Sequence, residues 1–107
     1  MLTEIREISV QALKQAIDNK EDIHILDVRE AAEIQAANIG GQFIPVGQVV
    51  IRQSEIDQAK KTAVLCRSGR RSAMAIMQLQ ALGYENLYNV QGGILAWAAE
   101  IDNTLKP

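Results

Sequence analysis

Short apolar runs and helical apolar periodicities alternate along this chain from one end to the other. Ile5 to Ile8 predicts a short first strand. After it, Val10, Leu13 and Ile17 recur at helical spacing with Ala16 beside them, and Ser9 stands where it can cap that helix. Asp18-Asn19-Lys20 ends it. Ile23-His24-Ile25-Leu26-Asp27-Val28 reads as a buried strand leading into Arg29 and a short helix from Glu30 to Ala36. Asn38-Ile39-Gly40-Gly41 is a turn, Phe43-Ile44 a brief strand stopped by Pro45, and the apolar stretch from Val46 to Ile56 is read as helix.

Lys60-Lys61 is a solvated approach to the next strand, Ala63-Val64-Leu65. Beyond the Cys66 loop, the residues from Ala73 to Leu82 leave two glutamines to mark a wet side. This predicts a helix buried on most of its surface, with Met74 and Met77 as core filler. Gly83 ends that helix. Asn86 to Val90 is the last strand, and Gln91-Gly92-Gly93 turns the chain into a helix with Ile94, Trp97 and Ile101 on one face, Trp97 as its packing anchor. The segment 102–107 reads as a frayed tail after a domain spanning 5–101.

This rhythm predicts an α/β fold with a largely parallel sheet. In such sheets ligands bind beyond the carboxyl ends of the strands. Asp27 with Arg29, the Cys66 loop, and Gly92 with Gly93 each follow a strand directly, so they are expected to gather on one edge. His24 opens its strand away from that edge and is read as structural.

At 107 residues the chain makes one ordinary domain. One cysteine excludes an internal disulfide and a cysteine-rich zinc site, and one histidine offers little to other metals, so no metal or cofactor is expected. A formal charge of −2 provides no general affinity for nucleic acid or an anionic membrane. The opening Met1 to Glu7 alternates charged and apolar residues, unlike a secretory signal, and no apolar run approaches the ~20 residues of a membrane span. A reducing cytoplasm is the expected compartment.

Against this mildly acidic background, positive charge is concentrated at Cys66-Arg67-Ser68-Gly69-Arg70-Arg71-Ser72, where a strand ends and a helix begins. A helix start offers unpaired N–H groups and about half a positive charge, and a glycine in the turn lets successive amides curl around an anion. Helix N-termini and neighbouring Arg residues lower a thiol pKa to roughly 3.5 to 7.5. Cys66 is therefore expected to be a thiolate at neutral pH and accessible to peroxide. Arg67 and Arg71 are candidates to attract an anionic substrate, and Arg70 either joins them or faces water. Ser68 and Ser72 can donate to the anion, though Ser72 equally suits the first helical turn. Asp27 and Arg29 either orient the loop from behind or, in the case of Asp27, cap the following helix.

Four segments in order, Leu26-Asp27-Val28-Arg29-Glu30, the run from Cys66 to Ser72, Gly83-Tyr84, and Gly92-Gly93-Ile94-Leu95-Ala96-Trp97, make the chain resemble single-domain rhodaneses, the thiosulfate sulfurtransferases. The resemblance implies a five-stranded, mostly parallel sheet with helices on both faces. It also implies sulfur transfer from thiosulfate to cyanide or a thiol acceptor such as glutathione or thioredoxin, through a persulfide on Cys66. An ionised thiol would need no separate general base, and without a second cysteine the sulfur must leave to an external acceptor. The alternative is a relay module that receives persulfide sulfur from another protein. Two comparisons refine the resemblance. Asn38-Ile39-Gly40-Gly41 stands where many relatives carry His-Ile-Pro-Gly. Four residues separate Cys66 from Arg71, one fewer than in phosphatases with a cysteine nucleophile, so the amide ring suits a sulfur atom better than a phosphate.

Overall fold

The computed structural model describes residues 4–107; Met1, Leu2 and Thr3, the start of the segment read for a secretory signal, lie outside them. Five strands, β1 (Glu7–Ile8), β2 (Ile23–Asp27), β3 (Gln42–Phe43), β4 (Lys61–Leu65) and β5 (Leu87–Val90), form one sheet in the order β1-β5-β4-β2-β3. Every pairing is parallel, with Leu26 beside Val64 and Val64 beside Asn89. Four helices connect or follow them: α1 (Val10–Asp18), α2 (Ala31–Ala36), α3 (Arg70–Gln80) and α4 (Gly93–Glu100).

The alternation of side chains along the two central strands creates two cores. Leu26, Val28, Val64 and Cys66 pack on one face with Ala75, Ile76 and Leu79 of α3. Ile25, Ala63 and Leu65 point the other way, onto Leu13 of α1 and Ile94 and Trp97 of α4. Trp97 is the packing anchor its spacing predicted. Ser9 caps α1, its hydroxyl accepting from Ala12 N–H at 3.0 Å. His24 is half-buried on β2, its Nε2 2.8 Å from Gln42 Oε1.

Three expectations are corrected. The stretch 46–56 is two short 3-10 turns, Val46–Gln48 and Gln53–Glu55, and not one helix. Pro45 fixes the entry, and three successive β-branched residues, Val49-Val50-Ile51, lose side-chain freedom in a helix. Arg52 then clamps the turns together, bonding Gln48 Oε1 and both carboxylate oxygens of Glu55. Secondly, α3 buries a single stripe, Ser72, Ala75, Ile76 and Leu79, and leaves Met74 and Met77 51% and 58% exposed. Only one side of that helix meets the sheet; Ala and Met on its outer side are good helix formers and need no core to favour them. Thirdly, the segment after Ile101 is folded back and not frayed. Asp102 N–H reaches Trp97 O, Asp102 caps Thr104, and Leu105 packs on the α1/α4 core. Among the described residues no helix is long and apolar enough to cross a membrane.

Candidate active site

The three strand ends meet as the topology requires. Val28 N–H donates to Leu65 O, and at the start of α4 the amides of Ile94 and Leu95 donate to the carbonyls of Cys66 and Arg67 at 2.9 and 3.1 Å. That close approach explains Gly93. A Cβ on Gly93 would lie 2.4 Å from Arg67 O and 2.5 Å from Cys66 O, and the residue has φ +61°. With its carbonyls tied to α4, the Cys66 loop is free to turn its amides inward.

Gly69, at φ +102°, caps α3 and makes the turn, and its N–H donates to Cys66 Sγ at 3.1 Å. Ser72, fully buried in the first turn of α3, places its Oγ 3.2 Å from the same sulfur. Cys66 itself is only 1% exposed. The thiol expected to be accessible is instead buried: the residue packs among the α3-side core, while its sulfur ends in polar contacts with the loop. Burial pushes the thiol pKa up, but the hydrogen bonds that converge on the sulfur from Ser72, Gly69 and Ser68 outweigh it, so the thiol lies below its ordinary range.

The arginines divide. Arg71 forms a two-pronged pair with Glu33 of α2, Nη1 to Oε1 at 2.6 Å and Nη2 to Oε2 at 2.7 Å. Arg71 lowers the Glu33 carboxyl from 4.5 to about 2. Glu33 in turn raises Arg71, with a smaller contribution from Cys66. Arg67 and Arg70 are exposed and form no ion pair among the described residues. Ser68 is exposed on the loop.

Asp27 and Arg29 are a buried pair behind this frame. Arg29 Nη2 donates to Asp27 Oδ2 at 2.8 Å, and its other N–H groups reach the carbonyls of Glu33 and Ala37. Asp27 therefore anchors Arg29 and does not cap α2, whose capping box is made by Glu30 and Glu33. The link from this pair to the cysteine loop runs through Glu33 to Arg71. Beside the loop lies a cavity of about 220 Å³, bounded by Arg29, Glu33, Ala36, Arg67, Ile94 and Pro107. The departing turn does not line it; Asn38 Oδ1 accepts from Gly40 N–H at 2.9 Å and closes the turn locally. A larger open depression of about 400 Å³ between β1 and α1 lies at the other end of the sheet, away from the cysteine.

Two residues here were missed in the sequence. Glu33 reaches across 38 positions to Arg71, a pairing no local pattern encodes. Asn89 is buried on β5; its Oδ1 accepts from Ser72 Oγ at 2.5 Å, and its Nδ2 donates to Gly69 O at 2.9 Å. A polar residue inside the otherwise buried end of a strand was the available signal.

A parallel α/β sheet that ends in a glycine-turned cysteine loop, with amides converging on the sulfur, defines a class of anion-cradling cysteine domains. The chain belongs to the rhodanese-like domain family, whose pattern matches residues 9–100. It is 37% identical over 95 residues to a protein of Allochromatium vinosum named sulfurtransferase, covering 88% of this chain and 89% of that one. It is 38% identical over 99 residues to YrkF of Bacillus subtilis, named as a candidate sulfur carrier; the match covers 92% of this chain and 54% of that longer protein. Among solved structures, a rhodanese-related protein of Thermoplasma volcanium superposes with a TM-score of 0.77 at 34% identity, covering 90% of this chain and 93% of that one.

Proposed function

We propose that the protein is a sulfurtransferase that moves sulfane sulfur from thiosulfate to cyanide or a thiol acceptor through a persulfide on Cys66. The observation that carries the reading is the sulfur at the floor of a ring of amides, with Gly69 N–H 3.1 Å away. The Cys66 thiolate attacks the outer sulfur of thiosulfate, a new S–S bond forms, and the old one breaks with its electron pair leaving on sulfite. The negative charge moves to the outer sulfur of the persulfide, where the loop amides from Arg67 to Ser72 cradle it. Attack there by cyanide or a thiolate returns the electron pair to Cys66 and closes the cycle. Exposed Arg67 gathers the dianionic donor, and Arg71, held in place by Glu33, offsets charge building on the leaving sulfite.

After mixing with thiosulfate the intact mass should rise by one sulfur atom, a reductant should remove it, and Cys66→Ser should abolish it. A wild-type mass that does not change refutes the proposal. The carrier name of the Bacillus subtilis relative favours a second reading, a relay that receives persulfide sulfur from another protein. That module would show negligible turnover on thiosulfate yet load rapidly from a persulfidated donor protein.

A further inference from the structure

Counting hydrogens around the nucleophile assigns a role to Asn89. Its side-chain amide meets two groups, the Gly69 carbonyl and the Ser72 hydroxyl. A carbonyl oxygen only accepts, so the NH₂ of Asn89 must face Gly69, and Oδ1 must face Ser72. Oδ1 also only accepts. The single hydroxyl hydrogen of Ser72 is therefore directed at Asn89, and Ser72 turns a lone pair toward Cys66 Sγ, 3.2 Å away. A lone pair there receives an S–H hydrogen well and repels a sulfur anion. For Ser72 to donate to a thiolate, its hydroxyl must rotate off Asn89. That leaves Oδ1 without a partner at a residue only 5% exposed.

We propose that Asn89 is a positioning residue that controls where the Ser72 hydrogen points, and thereby disfavours the Cys66 thiolate relative to the states in which Sγ carries no charge. Those states are the thiol and, resting on the sulfur-transfer reading, the persulfide. When Sγ attacks the donor, its charge passes to the outer sulfur and the Ser72 hydrogen swings back to Asn89, with no proton leaving the site. Asn89 thus favours loading of sulfur. The charged groups around the loop are untouched by substitutions at Asn89 and Ser72: Arg71 of α3, Glu33 of α2 paired with it, Glu30 near Arg71, and the exposed neighbour Arg67; the loop amides on Sγ also stay in place. β5 brings Asn89 itself, and α4 meets the loop with its glycine backbone.

The test is titration of the thiolate ultraviolet absorbance in wild type, Asn89→Leu, Asn89→Asp, Ser72→Ala and Ser72→Ala/Asn89→Leu. Both residue-89 variants lose the bond to Gly69 O, but only Leu releases the Ser72 hydrogen. Asn89→Leu should move the midpoint down by about one pH unit, the size of one hydrogen bond to a charged group. Asn89→Asp should move it up. In the Ser72→Ala background the Leu substitution should add no shift. A midpoint unchanged or raised in Asn89→Leu overturns the proposal, as does a downward shift that persists without the Ser72 hydroxyl. If Asn89→Leu does not fold, Asn89→Ala carries the same expectation. Wild-type protein that takes up no sulfur from thiosulfate while the residue-89 shift holds would sink the sulfur-transfer reading and support this one.

Discussion

Substituting Gly93 by alanine tests whether the start of α4 supports the cysteine loop. The new Cβ would meet backbone, Arg67 O at 2.4 Å and Cys66 O at 2.5 Å, with no flexible side chain to yield. Either α4 or the loop must move, and two hydrogen bonds, Ile94 N–H to Cys66 O and Leu95 N–H to Arg67 O, stretch with it. Holding alanine in the left-handed region costs about 1–2 kcal/mol, overpacking adds about 1–3, and each strained hydrogen bond about 0.5–1.5. Part is offset because alanine also restricts the unfolded chain, by about 0.4–1 kcal/mol. The expected loss is about 2–7 kcal/mol, a large share of the roughly 5–15 kcal/mol by which a native domain is stable. Gly40→Ala is the control: φ is +93° there, but nothing lies within 4 Å of the added Cβ. It should lose about 1 kcal/mol. Guanidinium unfolding of both variants at matched slopes measures the difference. A Gly93→Ala protein no less stable than Gly40→Ala would refute the close-packing argument.

The buried pair behind the site predicts an asymmetry. Arg29→Met leaves the Asp27 carboxylate buried without its partner and should destabilise by about 3–5 kcal/mol, whereas Arg29→Met/Asp27→Leu should recover part of that in a denaturant melt. Surface exposure of Met74 and Met77 predicts that Met74→Gln and Met77→Gln stay within about 0.5 kcal/mol of wild type. Ile76→Ala, on the buried stripe, should lose about 2–5 kcal/mol in the same melts. Arg71 holds the Glu33 carboxyl at about 2 against 4.5 ordinarily, so the stability this pair contributes is present above pH 4.5 and lost as pH falls toward 2. With the pair partly exposed, screening limits that contribution to at most about 1 kcal/mol, and Glu33→Gln should remove only this pair's share of the acid dependence of the unfolding midpoint, beside what Glu55 and Asp102 contribute. Steady-state kinetics on Glu33→Gln should show a raised KM for thiosulfate as Arg71 loses its anchor; an unchanged KM would remove Glu33 from that role.

The alternation of strands and helices and the gathering of three strand ends were legible because buried parallel strands leave continuous apolar runs, and because glycines and an arginine-rich turn follow them. Cys66, Gly69 and Ser72 could be read from local sequence, since an amide loop at a helix start is built from neighbours. The outer face of α3 could not, because alanine and methionine serve helix propensity as well as a core. The turns after Pro45 escaped for a related reason: an apolar run without clear periodicity does not distinguish a helix from a pair of turns when tertiary contacts at Val49 and Ile56 do the selecting. Glu33 and Asn89 act across the fold. Their partners, Arg71 and Ser72, lie 38 and 17 positions away, and only the sheet topology brings them together.

Inward-facing amides of the loop outweigh burial at Cys66 and hold its thiol acidic. A pH titration of the wild-type thiolate absorbance, with Cys66→Ser subtracted to remove the two tyrosines, measures this directly because the chain has one cysteine. The expected midpoint lies below the roughly 8.5 of an ordinary cysteine. A midpoint at or above that value would mean that burial wins and the loop does not activate the sulfur.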